Sequence, residues 1–243
     1  MKERPEIFLR HLFKTAIDAV AAERRLPKHL SKPLTGRTII VGGGKAAGAM
    51  AKVLENSWNG PLSGTVVVPY GHKADCKFID VIEAGHPVPD VASQRAATNI
   101  LELVSQLKSN DLVIALISGG GSSLLSSPAP GISLEDKQKV NRELLFSGAP
   151  IAEINAVRRA ISGIKGGRLA AAAHPARVAT LIVSDVPGDD PALVASGPTL
   201  PSPPSEPALD IIDRYEIQIP KNVRNILSSR KELILNDEAF EKE

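Results

Sequence analysis

The sequence has little of several things, and each shortage excludes a class of protein. It holds a single cysteine, Cys76, so no internal disulfide can form, which suits a reducing compartment and an expected cytoplasmic location. Aromatic residues are only 3% of the chain, too few to build a base-stacking surface. Neither sign of charge dominates: 29 Lys and Arg stand against 27 Asp and Glu, a net +2 with the basic residues scattered. Nucleic acid is therefore not an expected partner. No apolar run approaches the roughly 20 residues that span a bilayer, so no membrane role is expected. The N-terminus alternates charged and apolar residues, unlike a secretory signal. Cys76 and His72 lack zinc-ligand spacing.

What is present in quantity is glycine and proline, 19 of each, set at the ends of short apolar runs. Hydrophobic residues at 43% and charged residues at 23% give an ordinary globular mix. The length of 243 residues suffices for one large core or two small ones. Residues 6–25 carry an apolar stripe at helical spacing, from Ile7 through Leu12, Phe13 and Ile17 to Val20. Thr38–Val41, Thr65–Val68, Phe78–Glu83, Asp111–Ile117 and Val178–Val183 read as short strands without polar alternation. Helix-length segments lie at Lys45–Glu55, 91–107, from the capping residue Ser133 onward, and at 208–235. Residues 149–173 are helical in composition, with a break expected at Gly163, Gly166 and Gly167. Residues 197–207 are rich in Pro and Ser and read as a surface connection. Continuous Val/Ile strands alternating with helices predict an α/β fold: three layers, a mainly parallel sheet with helices on both faces, Rossmann-like.

In such a sheet the ligand crevice lies beyond the carboxyl ends of the strands. Three polar, glycine-rich segments follow strands here. Gly42-Gly43-Gly44-Lys45 offers close-approaching backbone N–H groups and a mobile positive charge. It has neither the spacing of a phosphate loop nor that of a dinucleotide fingerprint. Ser118-Gly119-Gly120-Gly121-Ser122-Ser123 suits phosphate or carboxylate binding better than covalent catalysis, since it is no nucleophile elbow. Asp185, Asp189 and Asp190 could hold Mg²⁺ beside phosphates or accept a proton from an alcohol. Asp185, nearest the strand end, is the first choice. Arg158, Lys165 and Arg168, around Gly166-Gly167, could bind a carboxylate or a transferring phosphoryl group, or be solvated helix charges. Glu83 through Asp90 could present His86 into the same crevice.

The stretches Val41–Ala47, Glu83–Asp90, Ile117–Ser122, Asn155–Leu169, Ser184–Pro191 and Ser196–Thr199 together resemble the N-terminal part of the glycerate 2-kinases that carry a MOFRL domain. Some members of that family are also labelled hydroxypyruvate reductase. The resemblance implies ATP-dependent phosphorylation of the 2-hydroxyl of D-glycerate to 2-phosphoglycerate, with ATP and Mg²⁺ as cofactors and a small hydroxy acid and a nucleotide as partners. It implies Lys45, Asp185 and Asp189 as catalytic residues, the two aspartates also as Mg²⁺ ligands. Gly43, Gly44, His86, Ser118 to Ser122, Arg158, Lys165 and Arg168 would contact substrate or phosphate. The chain departs from the family pattern at Ala160, where a histidine is usual, and in Leu200–Ser205, where an aspartate and threonines are usual. Family chains are much longer, with a second domain closing the cleft. All of 1–243 is thus expected to be the N-terminal domain alone. The alternatives are a catalytically incomplete or anion-binding chain, which could form a homodimer through an uncovered apolar surface, and an NAD(P)-dependent hydroxypyruvate reductase.

Overall fold

A computed structural model describes residues 4–202 and 205–229 of this protein. Five strands, β1 (Thr38–Gly43), β2 (Ser63–Pro69), β3 (Ile79–Ala84), β4 (Leu112–Ser118) and β5 (Arg177–Val183), form one sheet in the order β3-β2-β1-β4-β5. Every neighbouring pair is parallel. Helices α1 (Pro5–Val20) and α2 (Ala22–Arg25) precede β1, α3 (Ala47–Ser57) follows it, and α4 (Val91–Val104) joins β3 to β4. The crossover from β4 to β5 carries α5 (Gly121–Leu124), α6 (Leu134–Phe146), α7 (Ile151–Ala160) and α8 (Arg168–Ala173). Two helices, α9 (Ala208–Arg214) and α10 (Lys221–Ser229), come after β5.

The central strands are apolar on both faces because helices cover both. On one side Ile39, Val41, Val113, Ala115 and Ile117 pack with Ala97, Ile100 and Val104 of α4 and with Leu169 and Ala173 of α8. On the other, Ile40, Val66, Val68, Leu112, Ile114 and Leu116 pack with Met50, Ala51 and Leu54 of α3. Each Val, Leu, Ile or Met side chain among them contributes about 1.5–3 kcal/mol when withdrawn from water. A third cluster contains no strand residue: Val140 and Leu144 of α6, Ile154 and Val157 of α7, Ile211 and Ile212 of α9 and Val223 of α10 pack with loop residues such as Ile132 and Ile161. The sheet thus has a helical annex beside the β4–β5 crossover, and the annex forms one wall of the site described below.

Several local expectations can be compared directly. Ser133 caps α6, its hydroxyl accepting the Asp136 N–H at 3.0 Å. The break expected near Gly163–Gly167 is the turn between α7 and α8, where Gly166 and Gly167 take φ of +61° and +80°. The expected helix over 6–25 divides at Ala21, whose extended backbone (φ −59°, ψ 142°) ends α1. None of the residues of α1 is buried, although its apolar stripe is intact. The expected surface connection at 197–207 needs correction at its start. Gly197, Pro198 and Thr199 are buried, with the Gly197 and Pro198 carbonyls accepting the N–H groups of Gly167 and Leu169. These residues form a strap that braces the α8 turn, and exposure begins near Pro201. The helical pattern at 208–235 is α9 and α10, with 230–235 outside the described residues. Among the described residues no helix is long and apolar enough to cross a membrane.

Candidate active site

Chain direction reverses its march across the sheet between β1 and β4: β2 and β3 lie to one side, β4 and β5 to the other. The crevice of a parallel sheet opens at such a point. Both expected glycine loops meet there, but they do different work. After β1, the Gly44 N–H donates to the Val67 carbonyl at 3.0 Å and the Lys45 N–H to the Gly119 carbonyl at 2.8 Å. The Ala46 N–H donates to Ser118 Oγ at 3.0 Å. These donors are spent inside the protein and are not the anion cradle expected of them. The glycines serve close approach instead. A Cβ on Gly42 would lie 2.0 Å from the Leu116 carbonyl oxygen, and one on Gly44 2.1 Å from Ser118 Oγ. Both residues also have positive φ, 151° and 145°. The loop locks the ends of β1 and β4 together and projects Lys45 from the seam.

Lys45 Nζ stands 3.7 Å from Asp185 Oδ2, both side chains more than half exposed at 54% and 58%. An ion pair so exposed adds at most about 1 kcal/mol to stability. Asp185 rests on Gly119, where a Cβ would come within 2.1 Å of its carboxylate. His86 Nε2 lies over Gly120 in the same way, 2.8 Å from a Cβ built there, with Lys45 Cγ at 3.3 Å. Partial burial, then the Lys45 charge, hold the His86 imidazole below its usual pKa, with Asp185 opposing. The ring is therefore neutral near pH 7. Asp189 sits in an exposed turn at φ +51°, its carboxylate without a hydrogen bond or ion pair among the described residues.

Beside this crevice is a cavity of about 280 Å³, between the β4 loop and α6 and α7. Its polar lining includes His86, Ser122, Lys137, Arg142, Arg158 and Lys165, and among the described residues no carboxylate lines it. Lys165 is buried, its ammonium donating to the Ser122 carbonyl at 2.7 Å, Ser122 Oγ at 2.9 Å and the Ala195 carbonyl at 3.4 Å. Burial first, then the charges of Lys137, Arg158 and Arg159, push its pKa well below the ordinary lysine range. Lys137 is equally buried, with one partner, the Ser127 carbonyl at 3.1 Å. Burial and then Arg158 bring its pKa to about 7. Arg158 Nε, Arg159 Nη1 and Asn141 Oδ1 are buried without a hydrogen-bond partner among the described residues. Lys137, Lys165 and Arg159 are buried and Arg158 is half-buried beside them, with no carboxylate of the described residues lining the cavity. Such a grouping is costly unless its members lose protons or meet an anion.

The expected residues thus divide into groups. Lys45, His86, Asp185, Gly119 and Gly120 come together in the crevice, and Ser122, Arg158 and Lys165 in the adjoining cavity. Ser118 is a buried brace. Gly121 allows contact, since a Cβ there would meet the Gly43 carbonyl and the Ala195 methyl at 2.7 Å. Arg168 differs from expectation: its Nη1 donates to the Arg159 and Lys165 carbonyls at 3.2 and 2.8 Å, tying the α7–α8 turn. Sequence reading missed Lys137, Asn141 and Arg142, which line the cavity, and placed Arg159 beside Gly166-Gly167 without a role. The available signal was Lys137 itself, a lysine in register with Val140 and Leu144 on the buried stripe of α6.

A parallel five-stranded sheet with helices on both faces belongs to the class of Rossmann-like three-layer α/β domains. Comparison with known proteins narrows the class. Residues 8–228 match the family described as a domain of unknown function, DUF4147, and the chain belongs to that family. Its relatives include glycerate kinases. The chain is 43% identical over 219 residues to a D-glycerate 2-kinase of Thermotoga maritima, covering 89% of this chain and 52% of the relative. It is 54% identical over 196 residues to a putative hydroxypyruvate reductase of Agrobacterium vitis, covering 80% and 51%. The crystal structure of a Thermotoga maritima glycerate kinase superposes with a TM-score of 0.83 at 40% identity, over 93% of this chain and 56% of that one. The chain spans about half the length of the curated relatives it matches.

Proposed function

We propose that this chain carries the anion-binding half of a glycerate 2-kinase site, and that the reaction served is transfer of the ATP γ-phosphoryl group to the 2-hydroxyl of D-glycerate. The observation that carries this reading is the meeting of Lys45 and Asp185 over Gly119 at the carboxyl ends of β1 and β4, in a family whose relatives bear the names of glycerate kinases. Phosphoryl transfer needs placed positive charge and an oriented hydroxyl more than covalent chemistry. Lys45 would offset the charge that develops on the phosphoryl oxygens. His86, held neutral, would take the hydroxyl proton as the oxygen–phosphorus bond forms and the bond to the departing ADP breaks. Among the described residues no group of three or more His, Cys, Asp or Glu side chains stands together. An exposed single carboxylate such as Asp185 still suits magnesium, which takes one or two protein carboxylates and the phosphates it accompanies. When bound, the ion neutralises phosphate charge, and Asp185 is the residue of this chain that would hold it, with Asp189 four residues on.

Binding without turnover is the more directly supported of two outcomes for the chain by itself. Lys45 and Asp185 are exposed, whereas efficient phosphoryl transfer excludes water. A reductase finds less support, because the first strand-to-helix turn spends its N–H groups internally and leaves none to cradle a pyrophosphate. The test incubates the chain with ATP, Mg²⁺ and D-glycerate and follows ADP release, beside D-glycerate binding by calorimetry. Glycerate-dependent ADP that vanishes in Lys45→Ala establishes the kinase. Saturable binding without ADP leaves the anion-binding reading, and neither binding nor ADP refutes both.

A further inference from the structure

We propose that the cavity between α6, α7 and the β4 loop seats the carboxylate of the hydroxy acid, with Lys137 and Arg158 as its ligands, so that the hydroxyl end projects toward Lys45 and Asp185. The inference rests on the proposed function for the identity of the acid, but the cavity argues for a carboxylate by its own construction.

Among the described residues its lining is cationic and uncompensated: Lys137, Arg158 and Lys165 inside, Arg142 among the lining residues, and no Asp or Glu. Lys165 is already saturated by three acceptors, so it positions Ser122 and adds charge without reaching for a ligand. Lys137 has one protein acceptor, leaving two N–H donors for an anion. Arg158 keeps a buried Nε without a partner, and a guanidinium presents the planar fork that matches a carboxylate. The other wall, Pro87, Val88, Pro89 and Leu145, is apolar and suits a short carbon chain better than a polyphosphate. At about 280 Å³ the space lies at or below the small end of the usual ligand-pocket range, too tight for a nucleotide. His86 and Gly120 line the cavity, and a Cβ on Gly120 would also lie 3.3 Å from Lys45 Cγ, so the cavity adjoins the crevice on the Lys45 side.

Proton linkage supports the assignment. The charged or titratable groups that share the cavity with Lys137 are Arg158, Lys165, Arg142 and His86, all basic. Without a ligand, burial and then the Arg158 charge hold Lys137 near pKa 7, and an arriving anion must raise it. Binding above neutral pH therefore takes up a proton.

Titration calorimetry of the 243-residue chain with D-glycerate at pH 8, in two buffers of different ionisation enthalpy, tests this. Saturable binding with uptake of a fraction of a proton up to about one per site is expected. Lys137→Met should bind at least tenfold more weakly while melting at or above the wild-type temperature, because it removes an uncompensated charge. Arg158→Lys, which keeps charge and loses the fork, should also weaken binding about tenfold. Undiminished binding in both variants overturns the proposal, as does absence of binding to wild type at millimolar D-glycerate. Inorganic phosphate that displaces D-glycerate at equal concentration reassigns the cavity to phosphate and overturns it too. ADP release that persists in Lys137→Met with unchanged KM would sink this seat and leave the kinase reading standing. Lost binding in the variants without any ADP from wild type would do the reverse.

Discussion

The two glycine loops at the head of the sheet have nearly the same composition and opposite uses. The one after β1 is closed: its N–H groups are consumed by Val67, Gly119 and Ser118, and its glycines exist because β4 is too near for a Cβ. The one after β4 is open, with Gly119 and Gly120 leaving room for Asp185 and His86 and with Ser122 facing the cavity. A run of glycines therefore marks a close approach, and only the neighbour decides whether what approaches is a strand or a polar side chain from another loop.

Substitutions that add one methyl group break this comparison most sharply. Gly44→Ala should cost about 3 kcal/mol or more, since the residue combines φ +145° with a contact of 2.1 Å to the buried Ser118. In Gly119→Ala the three nearest atoms to the new methyl all belong to the exposed Asp185, which can swing away, so stability should fall by less than about 1 kcal/mol. Displacing Asp185 from Lys45 should nevertheless lower any glycerate-dependent ADP release tenfold or more. Urea midpoints and ADP assays on the two variants would separate a sealed loop from an open one.

The next effect in size is on pH dependence. Unfolded lysine keeps its proton to about pH 10.4, whereas Lys137 in the folded chain loses it near 7. Between those values the unfolded chain binds more protons, so stability should rise with pH, by up to about 1.4 kcal/mol per unit from this group. Urea unfolding from pH 7 to 9.5 measures the slope, and saturating D-glycerate should flatten it. A slope of zero or the opposite sign without ligand would contradict the uncompensated cavity. Lys165→Met should cost about 2 kcal/mol, because the Ser122 and Ala195 acceptors lose their donor. Removing the exposed ammonium in Lys45→Ala should change stability by less than about 0.5 kcal/mol. Equal losses from the two lysine substitutions would erase the distinction between a structural and a functional cation.

The parallel sheet was legible because a strand buried on both faces must be apolar at every position, as in Leu112–Ile117. The crevice was legible too, because polar glycine loops followed those strands. Lys137, Asn141 and Arg142 were not, since a lysine among the periodic residues of a helix looks like a solvated charge until α7 is packed over it. The apolar stripe of α1 shows the converse: its periodicity is plain in Ile7, Leu12, Phe13 and Ile17, yet all four are exposed. Periodicity records that a face is apolar and says nothing of what covers it.

The sequence by itself determined the alternation of strand and helix, the parallel class and the segments that could carry chemistry, because backbone geometry and burial act over a few neighbouring residues. Tertiary structure alone decided which N–H groups remained available, which charges were buried together and which of them lacked a counter-ion. Those properties depend on distances between residues far apart in the chain, such as Lys137 and Lys165 or Lys45 and Asp185, and no local pattern encodes them.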